Sequence, residues 1–143
     1  MQIFLGADHR GFALKNQLKT WLEGQNYQVI DKGNLKFDSH DDYPDFAQAV
    51  AKEVAKNTEH RGILLCGSGA GVVIAANKIK NARAFASDKL EQIAAARQDD
   101  DINILALAAD FIDLALAKNL VKVFLNSKFE KNARHLRRLK KIL

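Results

Sequence analysis

The segment Arg61-Gly-Ile-Leu-Leu-Cys66 is apolar from Gly62 to Cys66, with no polar alternation, and runs straight into Gly67-Ser-Gly-Ala-Gly71. A strand that is apolar on both faces is buried on both faces, which is the situation of a strand in a parallel sheet covered by helices on each side. Parallel neighbours need crossover connections of a dozen residues or more, and the rest of the chain has segments of that kind. Strand patterns occur at Gln2–Gly6, Tyr27–Asp31, Arg83–Ala86 and Asn103–Ala108. Between them lie helical patterns. One spans Gly11–Glu23, with Phe12, Leu14, Leu18, Trp21 and Leu22 on one broad face. Another starts in the turn holding Pro44 and runs to Asn57. Others run from the glycine loop to Lys78, over Lys89–Arg97, over Phe111–Leu125 and over Lys131–Leu143. Strands and helices alternate throughout, which specifies an α/β chain. The expectation is a Rossmann-like three-layer αβα sandwich with a five-stranded parallel sheet, forming one domain over residues 1–143.

The 143 residues are enough for a core without disulfides or metals. Cys66 is the only cysteine, so no intrachain disulfide exists. No apolar run reaches the roughly 20 residues of a membrane span, and the chain begins in a strand pattern rather than a leader. The expectation is a cytoplasmic protein without membrane contact. The net charge of +5 is unevenly spread. From Lys118 onward there are nine Lys/Arg and one acid, Glu130, so the body before it is mildly acidic. A basic end suits nucleic acid or a small anion, or simply a solvated helix face. No aromatic platform is interleaved with the basic residues, which argues against nucleic acid.

In an open parallel sheet, ligands bind beyond the carboxyl ends of the strands where strand order reverses. That rule selects Asp8-His9 after the first strand and Cys66 with its glycines after the third. Three glycines at alternate positions let the backbone turn tightly and present N–H groups at a helix N-terminus, a setting for an anion. The loop lacks the Gly-Lys-Ser/Thr of a P-loop. It also follows the third strand rather than the first, unlike a dinucleotide fingerprint. Cys66 ends a buried strand, where a cysteine often serves as a small core hydrophobe; it also abuts a helix N-terminus, which favours the thiolate. Asp8 either caps the following helix or orients hydroxyls, and His9 suits proton transfer or an anion. Arg134 and Arg138, four apart, share a helix face and suit a phosphate. His40 and His60 read as surface residues, and Trp21 as core.

Four stretches together carry a resemblance: Gly-Ala-Asp-His-Arg-Gly-Phe at 6–12, Asp-Tyr-Pro at 42–44, Gly-Ile-Leu-Leu-Cys-Gly-Ser-Gly-Ala-Gly at 62–71 and Ile-Ala-Ala-Asn-Lys at 74–78. The chain resembles the ribose-5-phosphate isomerase B family, which includes the galactose-6-phosphate isomerase subunits. The resemblance implies an aldose–ketose isomerase of phosphosugars that needs no metal or cofactor. It implies Cys66 as the base, with Ser68 assisting at O1. Gly67, Gly69, Ala70 and Gly71 would stabilise an enediolate through their amides, Asp8 and Tyr43 would touch the sugar, and His9, Arg134 and Arg138 would hold the phosphate. Some relatives place a glutamate base just after the glycine loop, where this chain has Val72, Val73 and Ile74.

Two departures stand out. Relatives carry a ring-opening His, followed by Asn, after the fourth helix; here Asp99 and Asp100 replace them. Many relatives also have an arginine after the fifth strand, where this chain has Asp110. Position 99 precedes the fifth strand and so lies near the amino end of the sheet, away from its own Cys66. The resemblance therefore implies a homodimer or dimer of dimers with shared sites, the C-terminal helix reaching toward a partner. The competing reading is a non-catalytic or partner-dependent sugar-phosphate-binding subunit that needs a paralogous chain to supply the missing His.

Overall fold

The computed structural model describes residues 1–143. Its elements, in chain order, are β1 (Gln2–Ala7), α1 (Phe12–Gly24), β2 (Gln28–Asp31), α2 (Tyr43–Val54), β3 (Arg61–Cys66), α3 (Ala70–Ala76), β4 (Ala84–Ala86), α4 (Leu90–Asp100), β5 (Ile104–Ala108), α5 (Leu114–Asn126) and α6 (Ala133–Ile142). The five strands form one parallel sheet in the order β2-β1-β3-β5-β4. The apolar strands β1, β3 and β5 occupy its centre, as their lack of polar alternation requires.

Side chains alternate across the sheet, and the two faces take different helices. Ile3, Leu5, Ile63, Leu65, Leu105 and Leu107 pack with α1, α4 and α5. Phe4, Leu64, Cys66, Ile104 and Ala106 pack with α2 and α3. This is the three-layer α/β arrangement expected. Cys66 therefore points toward the α2/α3 layer. No helix is long and apolar enough to cross a membrane.

Several element ends differ from expectation for local reasons. α5 starts at Leu114 rather than Phe111, because the Asp113 carboxylate accepts the Leu116 N–H at 2.8 Å and caps the helix there. Asn132 does the same for His135, so α6 starts at Ala133 rather than Lys131. α2 ends at Val54 rather than Asn57, and α3 at Ala76 rather than Lys78. α4 runs on to Asp100, so Asp99 and Asp100 lie in its last turn and not after it. The helix stops at Asp101 in the left-handed region (φ 49°), whose carboxylate takes Arg97 at 2.7 Å and Arg83 at 3.1 Å. Those ion pairs hold a conformation that a non-glycine residue adopts at a cost. His60 is not a free surface group: its Nδ1 bonds the Glu53 carbonyl at 2.8 Å and its ring lies 5.0 Å from that of Phe4.

Candidate active site

β1 and β2 lie on one side of the β1/β3 boundary and the later strands on the other, so strand order reverses where these two strands meet. Cys66 is 4% exposed. Its Sγ accepts the Gly69 N–H at 3.2 Å. The sulfur is thus enclosed by the α2/α3 core yet turned into the glycine loop, with a backbone dipole aimed at it. Gly69 sits at φ 77°, where a side chain is strained. Without that turn the amide would not face the sulfur. Ser68 is exposed and its Oγ accepts the Ala70 N–H at 3.3 Å. Gly71 lies under the ring of Tyr43: a Cβ there would come 2.6 Å from Tyr43 Cζ. The glycine lets the first residue of α2 close over the loop.

Asp8 is buried and divides its roles. One carboxylate oxygen accepts the N–H groups of Arg10 at 3.0 Å and Gly11 at 3.2 Å, which fixes the turn into α1. The other has no partner within the chain. Asp8 therefore braces the turn before α1 rather than capping the helix, whose N-cap Gly11 takes no side-chain bond, and its second oxygen stays available. His9 is oriented by Asp41, 32 residues away: its backbone N–H and its Nδ1 meet the same carboxylate oxygen at 2.9 and 2.8 Å. Asn34 Nδ2 donates to the other oxygen at 3.1 Å. A carboxylate accepts only, so Nδ1 carries the proton and Nε2 is left without a partner in the chain. The bond to Asp41 raises the His9 pKa above the usual 6.5, assisted by the charges of Asp8 and Asp41 against desolvation and Arg10. Burial of Asp41 pushes its carboxyl up, but the bonds from His9 and Asn34 outweigh this and bring it below the usual range.

The remaining candidates stand elsewhere. β5 runs from Ile104, level with Gly62, to Ala108, level with Cys66, roughly 13 Å at strand rise. α4 delivers Asp99 and Asp100 to the Ile104 end. α6 packs there too, its buried His135 reaching Asp99 through Nε2 at 3.5 Å while Nδ1 bonds the Glu130 carbonyl at 2.9 Å. Arg134 and Arg138 are exposed and make no ion pair with any carboxylate. Within one chain, then, Asp8, His9, Tyr43, Cys66, Ser68 and Gly67–Gly71 come together, and Asp99, Asp100, Arg134 and Arg138 gather at the opposite end. Two groups bring His and carboxylate ligand atoms within 4.8 Å of one another, Asp8/His9/Asp41 and Asp99/Glu130/His135. In both, the histidine Nδ1 is already bonded. Asp41 and Asn34 escape sequence reasoning because nothing local ties residue 41 to residue 9.

The arrangement has counterparts. The family model described as Ribose/Galactose Isomerase matches residues 3–142. The probable ribose-5-phosphate isomerase B of Mycoplasma genitalium is 42% identical over 142 residues, covering 99% of this chain and 93% of that one. The ribose-5-phosphate isomerase B of Escherichia coli is 38% identical over 141 residues, with 99% and 93% covered. The crystal structure of the Mycoplasma genitalium enzyme with bound ribulose-5-phosphate matches with a TM-score of 0.93 and 42% identity, covering 99% and 93% of the two chains. With matches of that extent over a glycine loop and sulfur so arranged, the chain belongs to the ribose/galactose isomerase family and is a sugar-phosphate isomerase.

Proposed function

We propose that this chain, working as one domain over residues 1–143, interconverts a phosphorylated aldose and its ketose through a cis-enediolate, with Cys66 as base. Ribose 5-phosphate and ribulose 5-phosphate are the first substrates to test. The observation that carries the reading is the Cys66 sulfur turned onto the Gly69 N–H at the carboxyl end of β3. Proton abstraction next to a carbonyl needs a base at the carbon and preorganised donors at the oxygen. The thiolate takes the C2 proton; the C–H electron pair becomes the C1=C2 bond and the carbonyl pair moves onto O1. The thiol then returns the proton to C1 while the O2 proton passes to O1, a transfer assigned to Ser68. The amides of Gly67 and Gly71 face the developing oxyanion, while those of Gly69 and Ala70, which donate to Cys66 Sγ and Ser68 Oγ, hold the base and the hydroxyl beside it. Asp8 takes a sugar hydroxyl on its unpartnered oxygen, and Tyr43 closes over the chain.

His9 receives the phosphate through Nε2. Arg134 and Arg138 of a second chain complete that pocket, while Asp99 accepts the anomeric proton for ring opening and Asp100 binds beside it. The separation of these residues from Cys66 supports a site shared between subunits. It also supports a second reading, in which the second chain is a paralogue that supplies a histidine.

The test is turnover by the pure protein on a panel of pentose and hexose phosphates, with Asp99→His beside the parent. Isomerisation of at least one phosphosugar by the chain alone is expected. Binding without turnover, restored by a paralogous subunit, would favour the second reading. A faster Asp99→His variant on ring-closed substrate would identify ring opening as the weakened step.

A further inference from the structure

Arg10 has no role in the site described so far, yet it stands at its mouth. Its backbone is pinned by the N–H bond to Asp8. Its guanidinium lies across Gly67, so that a Cβ added there would collide with it. Beyond Gly67 it forms an ion pair with Asp110, both side chains being partly open to solvent, at 52% and 37% exposure. Asp110 is itself held in place: the loop after β5 is tied to the glycine loop through Ala109 N–H to the Cys66 carbonyl at 2.9 Å and Asp110 N–H to the Gly67 carbonyl at 3.1 Å. His9 is the preceding residue, and the Arg10 charge is close enough to oppose its protonation. A guanidinium and an imidazole therefore flank the cradle. Of the acids beside His9, Asp41 is taken by the His9 ring and Asp8 is tied to the turn through one oxygen; the acid beside Arg10 is held only in a half-exposed pair.

We propose that Arg10 is a phosphate ligand of this site and that Asp110 is its exchangeable counter-ion, displaced when a phosphosugar binds. The inference rests on the functional reading above and adds a residue to it. A guanidinium offers parallel donors that match two phosphate oxygens, and a solvent-exposed carboxylate pair is weak enough to yield to a dianion. Asp110 then acts as a selectivity element. It keeps Arg10 neutralised toward uncharged sugars and weak anions, and it weakens phosphosugar binding by the strength of the pair that must open.

The experiment measures KM and kcat for ribose 5-phosphate, and separately the affinity for inorganic phosphate by titration, in the parent, Arg10→Gln, Arg10→Lys, Asp110→Asn and the Arg10→Gln/Asp110→Asn double variant. Arg10→Gln is expected to raise KM and weaken phosphate about tenfold, the loss falling on KM rather than kcat, with Arg10→Lys between it and the parent. Asp110→Asn is expected to tighten phosphate about threefold in the parent background and to do nothing once Arg10 is gone. Parental phosphate affinity in Arg10→Gln overturns the proposal, and so does an Asp110→Asn gain of equal size in both backgrounds, which would be plain charge repulsion. Should Arg10→Gln not fold, Asp110→Asn alone decides: tighter phosphate supports the pair and unchanged affinity overturns it. A parent that turns over no phosphosugar would defeat the functional reading, while the phosphate titration would still judge Arg10.

Discussion

At the carboxyl end of the sheet the candidate groups are held by backbone and buried carboxylates; at the amino end they stand on the outside of two helices. Cys66, Gly69 and Asp8 are buried at strand ends, with their partners supplied by amides a few residues away. Asp99, Asp100, Arg134 and Arg138 are exposed, and of the four only Asp99 meets a partner, His135, at 3.5 Å. Parallel strands make the first kind of site within a single chain, because every strand delivers its following loop to the same edge. The second kind leaves the Arg134 and Arg138 charges without a counter-ion and sets Asp100 on the wall of a hollow with Asn77, Arg83 and Ile142. Under the shared-site proposal it acts only when the surface of a second chain is brought to it.

The sharpest way to break this contrast is at the sulfur. Cys66→Ala should lower kcat by about 10²–10⁴-fold, the range for removing a positioned general base, while costing only about 1 kcal/mol of stability in the α2/α3 core. An activity loss under tenfold in a folded variant would remove Cys66 from the reaction. The carboxyl-end site also depends on a support below it. Lys15 is fully buried, pairs with Asp31 at 2.9 Å and bonds the Asn34 carbonyl, at the base of the loop that carries Asn34 and Asp41 to His9. Lys15→Met leaves the Asp31 carboxylate buried without its partner, so a loss of about 3–5 kcal/mol is expected in urea denaturation. A loss below 1 kcal/mol would mean that the loop does not rely on this pair.

The amino-end group is tested by mixing. Arg134→Ala/Arg138→Ala should bind phosphosugar about tenfold or more weakly per lost phosphate contact, with stability unchanged because both side chains are exposed and unpaired. Co-refolded with Cys66→Ala, it should regain up to about a quarter of parental activity, since half the dimers would be mixed and each would hold one intact site. No recovery would place both groups within one chain's site or deny them a common one.

The unequal legibility of the two ends follows from range. The apolar strand into Gly67–Gly71 is a local pattern, and so are the burial of Cys66 and the turn that faces it. The pairing of His9 with Asp41 crosses 32 residues and a polar loop with no periodicity. Only the folded chain reveals it. The last turn of α4 was equally hidden, because Asp99-Asp-Asp101 carries poor helix formers; Arg97 of α4 and Arg83, just before β4, converge on Asp101 and hold it in place. Arg10 is adjacent to the Asp-His pair in sequence, yet its relevance depends on Asp110, a hundred residues on.

The mildest perturbation concerns the His9–Asp41 pair, which shows how the carboxyl end tunes a group rather than merely holding it. The pKa of His9 is raised by Asp41 and that of Asp41 is lowered by His9. The pair is therefore fully ionised between the lowered carboxyl value and the raised imidazole value. Stabilisation from His9 is complete below its unfolded pKa of about 6.5 and is lost as pH rises through the raised one; that from Asp41 is complete above its unfolded pKa and is lost as pH falls through the lowered one. A protonated Nε2 serves a phosphate dianion best, so KM for phosphosugar should climb a few-fold as pH passes upward through the His9 value. Asp41→Asn keeps the side-chain shape but removes the charge, and should move that climb to lower pH and weaken binding at neutrality. An Asp41→Asn profile that overlays the parent would mean that Asp41 positions the ring without setting its charge, leaving phosphate recognition at this end to Arg10 and the loop amides.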